Sequence, residues 1–344
     1  MVTPCKLLRI NLAEIGSSSG PFKAASVLSL VILLIALCIV AEPAAAQTWP
    51  QRSVKLILPF GPGSGTDIAA RLLAEPLQKR WGQSVVVENR PGGDGVIAVN
   101  AFLAANDDHV LLYASSASFI AHPYTLEKMP YNLDRDLAPI ARVTDTIAAI
   151  GVPAQLNVKS IAELTALARS QPGKLNVAGI SGLIDIVVGG YLKTRDLSVT
   201  TVPYRNLVQA ASDLAENRIQ FMVTSYAVLR PMADAGRIRV IAITRKEPTS
   251  IVPGVPTVFE AGHPELQLET TVGFYGPRGM GRDMRERIAK DVVEVATASD
   301  VVAKLGQTGQ AVNAGGPDYL VNALKEQEAN AARAAKLLGL NANK

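Results

Sequence analysis

The sequence predicts an α/β protein of two lobes, each a mixed, mostly parallel sheet flanked by helices, with two strands crossing between them. Three observations carry this. From Val54 onward short β-branched runs alternate with helix-length periodic segments, the pattern of strands covered by helices. A middle block, bracketed by the apolar runs 137–152 and 268–275, has a complete strand and helix set of its own, as expected of a domain inserted into another. Both cysteines, Cys5 and Cys38, lie in the leader, so the mature chain must be held by cores rather than disulfides. One continuous doubly wound sheet is the alternative architecture.

The leader itself has three parts. Lys6, Arg9 and Lys23 make it positive, 27–40 is a nearly unbroken apolar run, and Ala44, Ala45 and Ala46 precede Gln47. This is the pattern of a signal peptide (1–46) cleaved near Ala46, which sends the product to the periplasm. The apolar run is short of the roughly 20 residues that a spanning helix needs. A lipid anchor on Cys38 is disfavoured because Leu37 stands where a small residue is expected. The full chain carries 34 basic and 30 acidic side chains for a net charge of +4. Such a mild excess, without basic blocks interleaved with aromatics, excludes nucleic acid as a partner.

Strands are expected at 54–59, 84–88, 110–114, 137–143, 148–152, 175–178, 200–203, 219–223, 240–243 and 271–275, with helices at 67–81, 95–104, 161–170, 183–193, 208–216 and 226–235. Ser160 with Glu163, and Thr257 with Glu260, have capping-box spacing, which strengthens a helix start at each place. The last third reads as the consecutive helices 282–297, 301–305 and 318–338, with no strand among them. The lobe boundaries that follow are 47–146 with 272–344 for the first and 147–271 for the inserted second.

Chemistry concentrates at strand-to-helix turns. The segment KLILPFGPGSGTDIAARLL breaks from a strand into Gly61-Pro62-Gly63-Ser64-Gly65-Thr66-Asp67 and then opens a helix whose first N–H groups face outward, a place for an anion. It is not a nucleotide loop: no Lys follows Gly65, and Thr66 stands where a dinucleotide fingerprint needs glycine. Asp67 would repel an anion and is expected to cap the free N–H groups instead. A second polar turn, Ser115 to Ser118, ends the third strand. In the middle block Gly179-Ile180-Ser181-Gly182, Tyr204-Arg205-Asn206 and Thr224-Ser225-Tyr226 end three more strands, and Arg205 could grip a carboxylate in two places. His109, His122 and His263 are far apart, and no metal-ligand spacing or nucleophile elbow is present. His122, beside Pro123, is expected to pack rather than to act as a base.

Several stretches together carry a resemblance: LILPFGPGSGTDIAARLLAEPL, VVVENRPGGDGVIA at 85–98, LNVKSIAEL at 156–164, PGKLN at 172–176, VPYRN at 202–206 and VPTVFEAG at 255–262. This ordered set resembles the Bug family, the extracytoplasmic solute receptors of tripartite tricarboxylate transport systems, and the match runs from about residue 49 to the end. The resemblance implies a two-lobed periplasmic binding protein of type II fold that closes on a small organic acid, without catalysis and without cofactor or metal. It implies delivery to the membrane subunits of such a transporter, and a monomer is expected. A sensor for a signalling partner, or a hydrolase or isomerase in the same cleft, are the other functions considered.

Carried over position by position, the resemblance points to Phe60, Gly63, Ser64, Gly65, Thr66, Asp67, Ser115 and Ser116 around one carboxylate, largely through backbone N–H groups. Ser181, Gly182, Asp185, Tyr204 and Thr224 would complete the pocket from the middle lobe. There this chain departs from the family pattern. Its turn is about one residue shorter, Ile186 replaces an expected His, Asp185 adds an acid, Tyr204-Arg205-Asn206 replaces Tyr-Lys-Gly, and no Asp stands near Thr224. These changes predict a ligand whose far end is less acidic than that of a di- or tricarboxylate, unless Asp185 turns to solvent.

Overall fold

The computed structural model describes residues 49–180, 182–204 and 206–342, with Ser118 described by its backbone alone. The expected leader, Ser181 and Arg205 lie outside the described residues. The chain resolves into two compact units, Met1–Gln51 and Arg52–Lys344, and everything below concerns the second. Among the described residues, no helix is long and apolar enough to cross a membrane.

The first half follows the expected alternation. Strand β1 (Val54–Leu58) leads into helix α1 (Gly65–Trp81), β2 (Val85–Asn89) into α2 (Val96–Ala105), and β3 (Val110–Ser115) into α3 (Ser116–Thr125). The short α4 (Leu133–Asp136) precedes β4 (Leu137–Thr146) and β5 (Ala148–Pro153). Then come α5 (Ile161–Ser170), β6 (Asn176–Gly179), α6 (Leu183–Thr194), β7 (Thr200–Pro203), α7 (Leu207–Ala215), β8 (Met222–Ser225), α8 (Tyr226–Asp234) and β9 (Ile238–Ile243). The chain ends with β10 (Thr270–Pro277), α9 (Arg282–Ala296), α10 (Ser299–Gln307), β11 (Gln310–Gly315) and α11 (Pro317–Leu338).

Two sheet systems result. One has the order β11-β4-β10-β3-β1-β2, with β1 parallel to β2 and β3, and with β10 antiparallel to both β3 and β4. The other joins β8-β5-β9 to the parallel pair β6-β7 through a bridge between Val177 and Phe221. Strand β4 belongs to the first sheet and β5, beginning two residues later, to the second; β10 returns the chain to the first. These are the two crossings. Antiparallel pairing is more extensive than the alternation suggests, because the returning strand runs against β3 and β4 and cannot be parallel to either. Each sheet has its own core. Ile57, Phe102, Leu112, Phe119 and Tyr275 pack behind the first, and Ile150, Val177, Ile186, Phe221 and Ile241 behind the second.

Two expectations need correction. The last third contains a strand, β11, whose Gln, Asn and Gly content gives no β signal because it lies at a half-exposed edge and is held by pairing with β4. At 257–260 the capping box forms, with Glu260 N–H donating to Thr257 Oγ1 (3.0 Å) and Thr257 N–H to Glu260 (2.8 Å), yet no helix follows. Gly262 takes a positive φ of 76° and Pro264 follows, so only turns and the 3-10 segment Pro264–Leu266 form. At 160–163 the box does start a helix: Ser160 Oγ accepts from Glu163 N–H at 3.1 Å.

The final helix packs against elements of both sheet systems. Its N-terminal part packs on the first sheet, Leu320 lying against Gly273 of β10. Its C-terminal part rests on α6: a Cβ on Gly190 would sit 3.3 Å from Ala334 O, and one on Gly189 3.3 Å from Leu338. The small residues of α6 let the two helices approach at backbone distance.

Candidate functional site

Because β1, β2 and β3 are parallel neighbours, their carboxyl ends release three turns along one sheet edge, where open α/β sheets receive ligands. The middle turn is the best organised. Gly63 adopts φ 81°, a conformation that favours glycine, and Ser64 caps α1 by accepting from Asp67 N–H at 3.2 Å. Asp67 turns back as expected: its Oδ2 accepts from Gly63 N–H at 2.9 Å, while Arg71 Nε and Asn89 Nδ2 donate to it at 3.1 and 2.9 Å. Burial alone would raise the Asp67 pKa. Hydrogen bonds from Arg71, Gly63 and Asn89 outweigh it and hold the carboxyl below its ordinary value. Ionised at neutral pH, Asp67 thereby braces the turn. The N–H groups of Gly65 and Thr66 are left as the helix's own outward donors, with no intrahelical acceptor.

Two side chains that sequence reading missed lock this turn from behind. Asn89, the last residue of β2, donates to Phe60 O at 2.8 Å as well as to Asp67. Gln310 of β11 donates to Gly65 O at 2.7 Å and lies so close that a Cβ on Gly65 would be 3.4 Å from its Nε2. Neither has a local signal, since each acts across more than twenty residues of chain.

The third-strand turn opens a helix, α3, where residue type alone indicates only a polar turn. Ser115 caps α3, its Oγ accepting from Ala117 N–H at 3.3 Å. The Ser116 hydroxyl, expected at the ligand, is fully buried and spent: it donates to Gln327 Oε1 and accepts from Thr271 N–H at 3.0 Å. What Ser116 retains for a ligand is its N–H at the start of α3. Through these bonds the turn joins a buried network at the crossing strands. Gln327 donates to Thr271 Oγ1, Thr271 and Asn313 donate to Asp145, and Arg142 holds both oxygens of Asp145 at 2.7 Å.

The second sheet brings a similar turn. Gly182 takes φ 67°, and Ile180 N–H donates to Asp185 Oδ1 at 2.9 Å, repeating in outline the Gly63–Asp67 brace. Asp185 is therefore neither a free acid in the pocket nor turned to solvent; it is bound to its own turn. Tyr204 N–H donates to Gly179 O at 2.9 Å, which places the residue beside this turn. Its hydroxyl, also expected at the ligand, instead donates to Asp213 at 2.8 Å, and burial together with that carboxylate pushes its pKa up to about 12. Thr224 is buried on β8 opposite Ala149. His122 is fully buried, bonded to Tyr131 and Asp94, as a packing residue.

The lobes, the strand-end turns and the cap geometry bear on known proteins as follows. A family model described as tripartite tricarboxylate transporter family receptor matches residues 69–340. A UPF0065 protein in the tcbD-tcbE intergenic region of Pseudomonas sp. (strain P51) is 30% identical over 91% of this chain and 95% of its own. Protein BugT of Bordetella pertussis (strain Tohama I) is 29% identical over 82% of this chain and 91% of its own. The solved structure of R. palustris Rpa4515 with adipate superposes with a TM-score of 0.75 at 25% identity, covering 86% of this chain and 99% of that one. The braced Gly-rich turn thus sits on a periplasmic binding-protein fold, and the chain belongs to the tripartite tricarboxylate transporter receptor family, which includes the Bug proteins its motif order resembles.

Proposed function

We propose that this receptor holds a small organic acid by one carboxylate between its two lobes and passes it unchanged to the membrane subunits of a tripartite tricarboxylate-type transporter. One observation carries the reading. Helix α1 follows β1 through the turn 59–64 and α3 follows β3 at once, and because β1 and β3 are adjacent and parallel, two sets of unpaired N–H groups and two positive helix ends converge on one edge. The adipate in R. palustris Rpa4515 is a ligand of the chemistry such an edge accepts.

In this reading 47–146 with 272–344 forms one lobe and 147–271 the other, and the end of α11 straps the second to the first. The N–H groups of Gly65, Thr66 and Ser116 with the hydroxyls of Ser64, Thr66 and Ser115 grip the carboxylate, Gly63 shaping the turn through its bond to Asp67, while Gly182 and its neighbours approach from the opposite lobe. Closure removes water and strengthens these bonds. Export with cleavage near Ala46, action as a monomer and the absence of catalysis complete the proposal.

Native mass spectrometry of freshly purified protein tests it. A co-purified mass matching an organic acid, or a thermal shift with at least one member of an organic-acid panel, is the expected result. No bound mass and no shift with any acid overturns the reading, and conversion of the acid into a new product overturns its non-catalytic part.

A further inference from the structure

Two carboxylates, Asp185 and Asp94, stand near the Gly182 turn, and their bonding differs. Asp185 is bonded to Ile180 N–H, so it presents no free acid. Asp94, in the turn that follows β2, is in the opposite situation. Residues 92–95 all have positive φ: 119° for Gly92, 56° for Gly93, 53° for Asp94 and 98° for Gly95. Asp94 is the only non-glycine of the four, held where glycine costs least. Such a placement fixes the side chain's direction at a conformational expense.

The groups around it do not use its charge. His122 Nε2 lies 3.0 Å from the Asp94 carbonyl oxygen and Nδ1 is bonded to the Tyr131 hydroxyl, so the tautomer that satisfies both nitrogens puts the proton on Nε2. The His122 ring is buried, and that burial lowers its pKa, so it stays neutral and gives Asp94 no counter-charge. The nearer Asp94 carboxylate oxygen, Oδ2, is 3.8 Å from Nε2. Among the described residues the Asp94 carboxylate accepts no hydrogen bond. About half of its side chain remains exposed, at 48%.

Its position is on the ligand edge. The β2 turn flanks the β1 turn, and Asn89 ties the two together. From the other lobe Gly182 comes close: a Cβ there would sit 3.8 Å from Asp94 Oδ2 and 3.8 Å from Ala121 Cβ. A ligand anchored at α1 and reaching toward the Gly182 turn passes this unpaired oxygen.

Resting on the carboxylate reading above, we propose that Asp94 reads the far end of the ligand, accepting a hydrogen bond from an ammonium or other donor group and repelling a second carboxylate. A like charge brought up to a partly desolvated acid is penalised, whereas a donor satisfies it. The preferred class is then a carboxylic acid carrying a cationic or donor group several bonds away.

The test uses probes matched in length: glutarate against 4-aminobutyrate, and adipate against 5-aminopentanoate, titrated calorimetrically into the mature chain and into Asp94→Gly and Asp94→Asn. The parent protein is expected to bind the amino acids at least about tenfold more tightly than their diacid partners. Both variants should reduce that ratio about tenfold. Asp94→Gly should fold at least as stably, since φ 53° suits glycine. A diacid preference in the parent, or a ratio unchanged in both variants, overturns the role of Asp94 while leaving carboxylate binding intact. Failure of the parent to bind these four and every other organic acid overturns both.

Discussion

At the scale of single residues, the site depends on one acid spent on geometry. Asp67→Ala would leave Gly63 N–H and one of the two N–H groups of the Asn89 amide without an acceptor and is expected to cost about 2–3 kcal/mol. The pH dependence follows from its lowered pKa. A carboxyl whose folded value lies below the unfolded one, about 3.9, gives stability that is present above that value and is lost as pH falls through the folded one. The melting-temperature gap between parent and Asp67→Ala should therefore be full at pH 7 and shrink below pH 4. A gap that stays constant to pH 3 would contradict the brace. Glycines divide in the same way. Gly63→Ala forces φ 81° on a side chain and should cost more than about 1 kcal/mol, whereas Gly61, with open space and no positive φ, should tolerate alanine; chemical denaturation of both variants checks this.

At the scale of elements, β4 and β10 carry the connection between lobes, and the polar network on them links that connection to the ligand turns. Asp145 is 3% exposed and is held by Arg142, Thr271 and Asn313. Arg142→Met strands a buried charge and should destabilise by about 3 kcal/mol or more, measured by denaturant titration. Gln310→Ala tests the other arm. It releases Gly65 O and Thr144 while leaving both cores untouched, so ligand affinity should fall about fivefold for the loss of roughly 1 kcal/mol, with a smaller change in melting temperature. Unchanged affinity would show that Gln310 only packs. Most elements were legible from period and caps: β7 and α5 fall where the sequence places them, because their patterning and flanking turns agree. Strand β11 and the continuation of Ser116 into α3 were not. Both are fixed by partners distant in sequence, β4 in one case and Gln327 with Thr271 in the other.

At the scale of the whole molecule, binding should couple the lobes. Ligand at 100 times its dissociation constant adds about 2.7 kcal/mol of stability, read as a rise of several degrees in melting temperature. The strap formed by α11 on α6 predicts a second effect. Gly190→Leu would drive a side chain into the Ala334 backbone, 3.3 Å from where its Cβ would lie, and should loosen the second lobe. Hydrogen exchange should then rise in α6 and in the C-terminal half of α11 while α1 and β1 stay protected; uniform protection would argue that the strap is incidental.

The sequence by itself determined the two-lobed α/β architecture, the capped Gly-rich turn at 61–67 and the family, because hydrophobic period, cap residues and glycine placement are local signals that survive in one dimension. Tertiary structure alone decided which side chains are free. Ser116, Tyr204 and Asp185 look like ligand groups in the sequence but find partners inside the protein, at Gln327, Asp213 and Ile180. Asp94, for which residue type and spacing carry no signal, has a carboxylate that accepts no hydrogen bond among the described residues, beside Gly182. A polar side chain's availability depends on what the fold brings within hydrogen-bond distance, and residue type and spacing do not encode that.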